Sequence, residues 1–433
     1  MIEESKLPKG WEVKKLGEVC KLKNGFAFKS INYQSEGVPV IRISDINGGI
    51  VSTKDTVRVE KTEDYKNYLV EENDILIAMS GATTGKFGIF KGIEEAYQNQ
   101  RVGNFKILDE KILNKQFLFY QINSLKRQIE KDAYGGAQPN ISSTKIEKMQ
   151  VVLPSPREQE KIVTKIEELF SQLENGKQQL LTAQKQLKTY RQSLLKSAFE
   201  GKLTNQNLKN GELSKGWEVQ KLGDVCDVNP KLPNKDQINS ELEIQFLPMR
   251  LVEELINKIS LTETRSFIEV QKKSYTPFID EDIIFAKVTP CMENGKIAVV
   301  RNLKNGIGFG SSEFHVVRCS KSILSKFVFY FLVRDKFRNE AASQMSGAVG
   351  LRRVPRQFIE NYLVNIPPLL EQQAIVAILE SKLTICDKIE ETIKASLKQS
   401  EMLRQSILKK AFEGKLLTQK NLKNQEELQN LQN

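Results

Sequence analysis

Two nearly identical segments limit the folds that this chain can adopt. RQSLLKSAFEGKL starts at residue 191 and RQSILKKAFEGKL starts at 404, an offset of 213 residues, with eleven of the thirteen positions identical. Each segment ends a long stretch that opens after prolines, SPREQEKIVTKIEELF from Ser155 and PPLLEQQAIVAILESKL from Pro367. The shared offset indicates that the chain is an internal duplication.

The two long stretches carry apolar or small residues at alternating spacings of four and three, the heptad pattern of packed helices. The first seam comprises Ile162, Ile166, Leu169, Leu173, Gly176, Leu180, Ala183, Leu187, Tyr190 and Leu194. The second comprises Ile375, Leu379, Cys386, Ile389, Ile393, Leu403 and Ile407. The pattern predicts two helices of roughly 45 residues that bury one stripe against each other, rather than two unrelated surface helices. Small residues on or beside the seams are predicted to let the backbones approach: Gly176, Ala183, Ser396 and Ser400.

A second repeated segment opens each half. GWEVKKLGEVC at 10–20 and GWEVQKLGDVC at 216–226 share nine of eleven positions and hold both tryptophans, Trp11 and Trp217. A repeated aromatic residue at the head of each half predicts a structural anchor where a globular domain packs on its helix, with direct function as the alternative.

The linker after the first long stretch, EGKLTNQNLKNGELSKGWEV, recurs after the second as EGKLLTQKNLKNQEELQN. This circular order predicts that the N-terminal head and the C-terminal tail lie on the same globular end. We therefore expect an α+β fold, in which two pseudo-two-fold-related mixed α/β domains are joined by two long antiparallel coiled-coil helices.

Between the repeated GWEV segment and the long helix, the sequence of each half predicts short β-rich segments. NDILIAMSGATTGKFGIF from Asn73 and EDIIFAKVTPCMENGKIAVV from Glu281 each predict a strand, a polar turn, a Gly-Lys pair and a second strand. KQFLFYQINSLKRQI from Lys115 and SKFVFYFLVRDKFRN from Ser325 each predict an amphipathic helix whose aromatic residues lie in the core.

Composition and charge limit the class of protein. A hydrophobic content of 39% supports real cores, and the absence of a long apolar run argues against export or membrane insertion, so we expect a cytoplasmic protein. Five cysteines scattered along the sequence argue against a disulfide framework or a zinc site. The net charge of +11 favours a polyanionic partner.

No catalytic pattern stands out. The single histidine, His315, has no counterpart in the first half, which argues against a nucleophilic triad. SGATTGK departs from a phosphate loop in its spacing and in Phe87, and GIGFG at 306–310 opens no helical pattern. The sequence therefore predicts a non-enzyme: two similar frames with different surfaces, suited to two unlike DNA half-sites separated by unread bases.

The chain resembles the DNA specificity subunit of type I restriction-modification systems. The resemblance rests on the repeated GWEV-x-KLG-x-VC heads, on TPCMENGKIA and SSEFHVVR, and on the proline, Glu-Gln, helix, AFEGKL order in both halves. It implies two target-recognition domains at 1–154 and 215–366, spacer helices at 155–200 and 367–413, a linker at 201–214 and a tail at 414–433.

The resemblance also implies partners. The chain would bind double-stranded DNA, methyltransferase subunits would dock on the spacer helices and modify adenine with S-adenosylmethionine, and restriction subunits would use ATP and Mg to translocate and cleave. No cofactor is expected in this chain itself, and no membrane.

Candidate DNA-binding residues follow from chemistry, because Ser, Thr, Asn, Gln, Lys and Arg bond phosphates and base edges, and neighbouring glycines allow close approach. In the first half they lie in loops 80–86, 99–101 and 135–140: Ser80, Thr83, Thr84, Lys86, Asn99, Gln100, Arg101, Gln138 and Asn140. In the second half they lie in loops 287–296, 311–312 and 350–353: Lys287, Thr289, Asn294, Lys296, Ser311, Ser312, Arg352 and Arg353. The alternative is that these are ordinary solvated turns. The pairs Gly85-Lys86 and Gly295-Lys296 fit a shared phosphate contact better than base reading.

Two other classes stay open. A structural coiled-coil adaptor would show no sequence-dependent DNA binding, and an enzyme with an unfamiliar site would be active as the isolated chain.

Overall fold

A computed structural model of the chain describes residues 5, 7–46, 48–54, 56–134, 139–205, 207–209, 211–348 and 350–417. Contacts divide the chain into two compact units, the first from 1–180 with 395–433 and the second from 181–394. Two helices of 44 residues each contribute to both units.

The described residues of the first unit form three sheets. Its strands are β1 (Glu12–Lys15), β2 (Cys20–Asn24), β3 (Val38–Ile41), β4 (Gly49–Val51), β5 (Arg58–Val59), β6 (Leu69–Val70), β7 (Ile75–Ala78), β8 (Phe87–Phe90), β9 (Ala96–Gln98), β10 (Val102–Ile107) and β11 (Gln150–Leu153). Its helices are α1 (Leu16–Val19), α2 (Lys115–Ala133), α3 (Ser143–Glu147) and the start of α4 (Pro156–Phe199). The sheet orders are β2-β10-β7-β8-β4, β5-β3-β9-β6 and β1-β11.

The second unit repeats this plan. Its strands are β12 (Glu218–Lys221), β13 (Cys226–Val228), β14 (Glu243–Leu247), β15 (Glu263–Ser266), β16 (Thr276–Ile279), β17 (Ile283–Ala286), β18 (Ile297–Val299), β19 (Ile307–Gly310), β20 (Phe314–Cys319) and β21 (Leu363–Ile366). Its helices are α5 (Leu222–Val225), α6 (Phe267–Gln271), α7 (Ser325–Val333), α8 (Asp335–Ser343), α9 (Arg356–Asn361) and the start of α10 (Leu369–Phe412). The sheet orders are β13-β20-β17-β18, β15-β14-β19-β16 and β12-β21, so the predicted duplication and mixed α/β class are confirmed.

The central strand β7 shows why its sequence is continuously apolar. Ile75 and Ile77 belong to the core cluster beneath α2 and α4, whereas Leu76 and Ala78 belong to a second cluster on the other face. Because side chains alternate along a strand, a strand covered on both faces needs apolar residues at every position.

The long helices pack within each unit as the seams predict. In the first unit Ile162 and Ile166 of α4 share a core cluster with Leu408 and Ala411 of α10. In the second unit Leu194 and Ala198 of α4 share a cluster with Ile375 and Leu379 of α10. Burial of these side chains removes apolar surface from water and holds each globular part on both helices.

Three predicted seam residues are exceptions. Tyr190, Ile389 and Leu403 are 44 to 47% exposed. Next to these exposed residues, charged side chains make the contacts instead. The Arg404 guanidinium lies 4.2 Å from the centre of the Phe170 ring, and Arg191 pairs with Asp387 and Glu390 at 2.7 and 3.1 Å.

The expectation for Gly176 was also wrong. A Cβ added there would meet no atom within 4 Å, so this glycine marks open space and does not permit a close approach of backbones.

The circular order is confirmed inside the first unit for the start of the predicted tail, whereas residues 418–433 lie outside the described residues. Trp11 packs against the cluster that contains Leu408, Ala411 and Leu416, and a Cβ on Gly414 would lie 2.2 Å from Cγ of Pro8. In the second unit Trp217 is buried in the cluster with Leu195 and Phe199 of α4. Both tryptophans are therefore structural anchors. Within the described ranges, no helix is both long and apolar enough to cross a membrane.

Candidate nucleic-acid interface

The polar loops of the first unit meet where β7 ends and β10 begins. The Met79 amide donates to the Arg101 carbonyl at 2.9 Å, and the Ile141 amide donates to the Met79 carbonyl at 2.9 Å. A bridge also pairs Ser80 with Asn140. Backbone bonding thus brings three segments that are distant in sequence, around 80, 101 and 140, together where the central strands β7 and β10 end and begin.

These segments form a cleft of about 600 Å³. Its lining comprises Asn24, Met79, Ser80, Gln100, Arg101, Pro139, Asn140, Ile141, Ser142 and Ser143. The Ser80 hydroxyl is buried and has no hydrogen-bond partner among the described residues. The exposed Arg101 guanidinium forms no ion pair with any residue that the structure describes. The cleft therefore presents one uncompensated cation among neutral amides and hydroxyls.

The other first-half candidates divide by accessibility. Thr84 is 4% exposed and its hydroxyl donates to the Gly81 carbonyl at 2.6 Å, so it stabilises the turn and is not available to a ligand. Thr83 donates to the Ile43 carbonyl at 3.2 Å, and the Asn99 side chain accepts from the Arg101 amide at 3.3 Å. Lys86 is exposed outside the cleft lining. Gln138 lies outside the described residues.

The second unit uses the same backbone frame. The Lys287 amide donates to the Glu313 carbonyl at 2.9 Å, and the Val354 amide donates to the Lys287 carbonyl at 2.9 Å. Lys86 and Lys296 also correspond, since their carbonyls accept from Ala78 and Ala286 at 2.8 and 2.9 Å. By this bonding Glu313 takes the place of Arg101, and Arg353 takes the place of Asn140.

The exchanged side chains in the second unit pair with each other. Nε and Nη2 of Arg353 donate to the two Glu313 carboxylate oxygens at 2.8 and 2.7 Å. The Arg353 hydrogen bond lowers the pKa of Glu313, and the same bond raises the pKa of Arg353. This two-point contact fixes the plane of the guanidinium. Its Nη1 also donates to the Leu351 carbonyl at 3.4 Å, and the residue as a whole stays exposed.

The remaining second-half candidates form two groups. Near Arg353 the Thr289 amide donates to the Arg352 carbonyl at 3.1 Å, and the Ser311 hydroxyl accepts from the Glu313 amide at 3.2 Å. Ser312 and Arg352 are exposed there, and Lys287 is half-buried. Apart from these, Asn294 donates to Glu254 at 3.0 Å and Lys296 donates to the Met249 carbonyl at 3.3 Å, so both are held by the protein itself.

His315 binds the backbone next to Arg353. Its Nε2 donates to the Val354 carbonyl at 2.9 Å, because a carbonyl can only accept. Its Nδ1 then accepts from the Asn229 amide at 3.0 Å. Burial lowers the pKa of His315 to about 4. A buried neutral histidine with both ring nitrogens hydrogen-bonded has a structural role.

The sequence did not single out Glu313, Asn24, Ser142 or Ser143. Glu313 directly precedes the strand segment FHVV, just as Arg101 precedes VGNF, so aligning the two halves at these strands would have placed it. Ser142 caps α3 by accepting from the Lys145 amide. Asn24 ends β2 and carried no distinguishing signal.

Comparison with known proteins gives a consistent result in both halves. A family model described as the type I restriction modification DNA specificity domain matches residues 8–183 and 214–399. These two ranges follow the duplication read from the sequence.

Individual relatives agree. The EcoAI specificity subunit of Escherichia coli is 37% identical over 198 residues, which are 46% of this chain and 33% of that protein, so this match spans about a third of that relative's length. The StySPI specificity subunit of Salmonella potsdam is 26% identical over 432 residues, covering 96% of this chain and 92% of that one. A solved chain from a study of type I R-M complex assembly has a TM-score of 0.72 at 20% identity, covering 95% and 99% of the two chains, and supports the fold.

Proposed function

Because the chain belongs to the type I restriction-modification DNA specificity family, we propose that it selects the DNA target of such a system. One observation carries this proposal: the same backbone frame occurs twice with unlike side chains at equivalent places, Arg101 against Glu313 and Asn140 against Arg353. Two equal frames with unlike reading surfaces suit a bipartite target whose two half-sites differ.

We further propose that the chain recognises DNA and that other subunits carry the chemistry. Methyltransferase subunits docked on α4 and α10 would modify adenine with S-adenosylmethionine, and restriction subunits would use ATP and Mg. We also propose the domain limits 1–154 and 215–366 and a place in the cytoplasm.

In the first unit we propose that the cleft faces DNA. The Gln100 and Asn140 amides carry the donor and acceptor pair that matches the edge of adenine, and a guanidinium matches guanine or a phosphate. Arg101 is free to do so because no described acid neutralises it.

In the second unit we propose that Arg353 reads a base and that Glu313 positions it. The two-point ion pair restricts the long side chain before binding, so less conformational entropy is lost when the exposed guanidinium meets a guanine. Arg352 and Lys287 add positive charge beside it and suit phosphate contact.

The test is to express the chain with its methyltransferase partner and map methylated adenines across a genome. We expect a two-part motif, and Arg101→Ala should relax one position of one half-site by roughly 10- to 100-fold in discrimination. Arg127→Ala is the control, since Arg127 is exposed on α2 of the same unit, outside the cleft lining and on neither long helix. Methylation without a sequence motif would favour the adaptor alternative.

A further inference from the structure

We propose that Cys226 and Cys319 form a reversible disulfide, a redox site in the second unit that is independent of DNA recognition. The two residues face each other across the antiparallel pair β13 and β20. Their sulfur atoms lie 3.7 Å apart, and both thiols are free in this structure.

The strand register makes the bond feasible. The Asn229 amide donates to the Val316 carbonyl and the Ser320 amide donates to the Val225 carbonyl. Since bonded and non-bonded pairs alternate along antiparallel strands, Cys226 and Cys319 occupy a non-hydrogen-bonded pair, where Cα atoms are about 4.5 Å apart. Disulfides span Cα separations of about 4.4 to 6.8 Å, so this pair lies at the short end of the range. The pair therefore lies within the separation that a disulfide can span, and thiol–disulfide exchange can both form and reduce the bond.

Burial orders the two chemical steps. Cys319 is partly exposed, whereas Cys226 is 4% exposed. With oxidised glutathione as oxidant, the Cys319 thiolate attacks one glutathione sulfur and releases the first glutathione thiolate. Cys226 then attacks the Cys319 sulfur, its proton passes to the second departing glutathione, and two electrons leave the protein.

The first unit supplies an internal control. Cys20 is the repeat counterpart of Cys226, but Ile107 stands opposite Cys20 on β10. Cys20 is fully buried, and Ile107 leaves it without a facing thiol. Oxidation should therefore link cysteines in the second unit and spare the first.

The experiment equilibrates the full chain with oxidised glutathione, unfolds it in alkylating reagent and maps the peptides by mass. We expect a mass loss of two hydrogens with Cys226 joined to Cys319, and alkylated Cys20, Cys291 and Cys386. Reduction should restore five alkylated cysteines. Two alkylated thiols at 226 and 319, or crosslinks mainly to the other cysteines, would overturn the proposal.

A second measurement follows the expected stabilisation. Closing a loop of this length should raise the melting temperature of the oxidised chain by roughly 5 to 10 °C. Cys319→Ile, which copies the residue of the first unit, should abolish both the link and this shift. An equal shift in Cys319→Ile would show that another modification causes it. The peptide map of the natural chain decides the question even where the variant folds poorly.

Discussion

At the residue scale, two buried glutamines explain the repeated proline and Glu-Gln pattern. Gln159 and Gln372 are both fully buried. Gln159 accepts from the Asn114 amide and donates to the carbonyls of Ile112 and Pro154 at 2.8 to 2.9 Å. Gln372 makes the same three bonds in the second unit, to Leu324, Ser322 and Pro367. Each glutamine ties the start of a long helix to the loop before α2 or α7.

We predict that Gln372→Ala lowers the free energy of unfolding by about 2 to 4 kcal/mol, because three buried backbone groups lose their partners. Denaturant titration measures this. Gln178→Ala is the control, since Gln178 is exposed on α4. A loss below about 0.5 kcal/mol at Gln372, equal to a surface change, would contradict the role assigned to the side chain.

His315 makes the stability of the second unit depend on pH. Its pKa is lowered to about 4 from the ordinary 6.5, so between these values the unfolded chain binds a proton that the folded chain does not. Stability is therefore complete above pH 6.5 and falls by about 3 kcal/mol as the pH drops to 4. His315 is the only histidine, so NMR titration of its ring reports this pKa directly. A measured pKa near 6.5 would show that the fold does not hold the ring in its neutral form.

At the element scale, the sequence predicts most of the strands and helices that have a clear hydrophobic period or occur in both halves. The strand and turn patterns from Asn73 and Glu281 became β7 with β8 and β17 with β18. The amphipathic pattern from Ser325, however, splits into α7 and α8 at Arg334, which stacks over the Phe331 ring at 3.9 Å. The same guanidinium lies 4.7 Å from the centre of the Phe199 ring of α4, a tertiary contact that periodicity does not record.

The candidate site was less predictable for the same reason. Residue type selected Ser80, Gln100, Arg101 and Asn140, which do line one cleft. It also selected Thr84, whose hydroxyl is turned inward, and it passed over Glu313, whose importance arises only from its contact with Arg353. Side-chain chemistry can be read from a sequence, whereas direction and partner require the fold.

Gly176 gives a prediction for α4. It lies inside a continuous helix with open space at its Cβ position. Gly176→Ala should therefore stabilise the protein by about 0.5 to 1 kcal/mol through helix propensity. Thermal unfolding checks this against Gly201→Ala, which should destabilise because Gly201 has a φ of +76° and Ser214 at 3.2 Å. Destabilisation by Gly176→Ala would revive the close approach that the seam suggested.

At the scale of the whole molecule, we predict that the length of the two long helices sets the number of unread base pairs between the half-sites. One heptad adds roughly 10 Å to a helix, and one base pair of B-DNA advances about 3.4 Å. We predict that a heptad inserted near Gly176, matched by one near Ile389, lengthens the unread gap by up to about three base pairs and weakens binding, because one half-site also rotates about the DNA axis. Methylation mapping reads the gap directly. An unchanged gap at full activity would show that these helices do not set the spacing.

Each unit, in the proposed function, reads its own half of the target. The most direct measurement exchanges residues 21–150 for the matching segment of another family member and maps adenine methylation in cells that contain the partner methyltransferase. We predict a new motif in one half-site, with the other half-site and the gap unchanged. A motif altered in both half-sites, or altered in neither, would contradict this division between the two units.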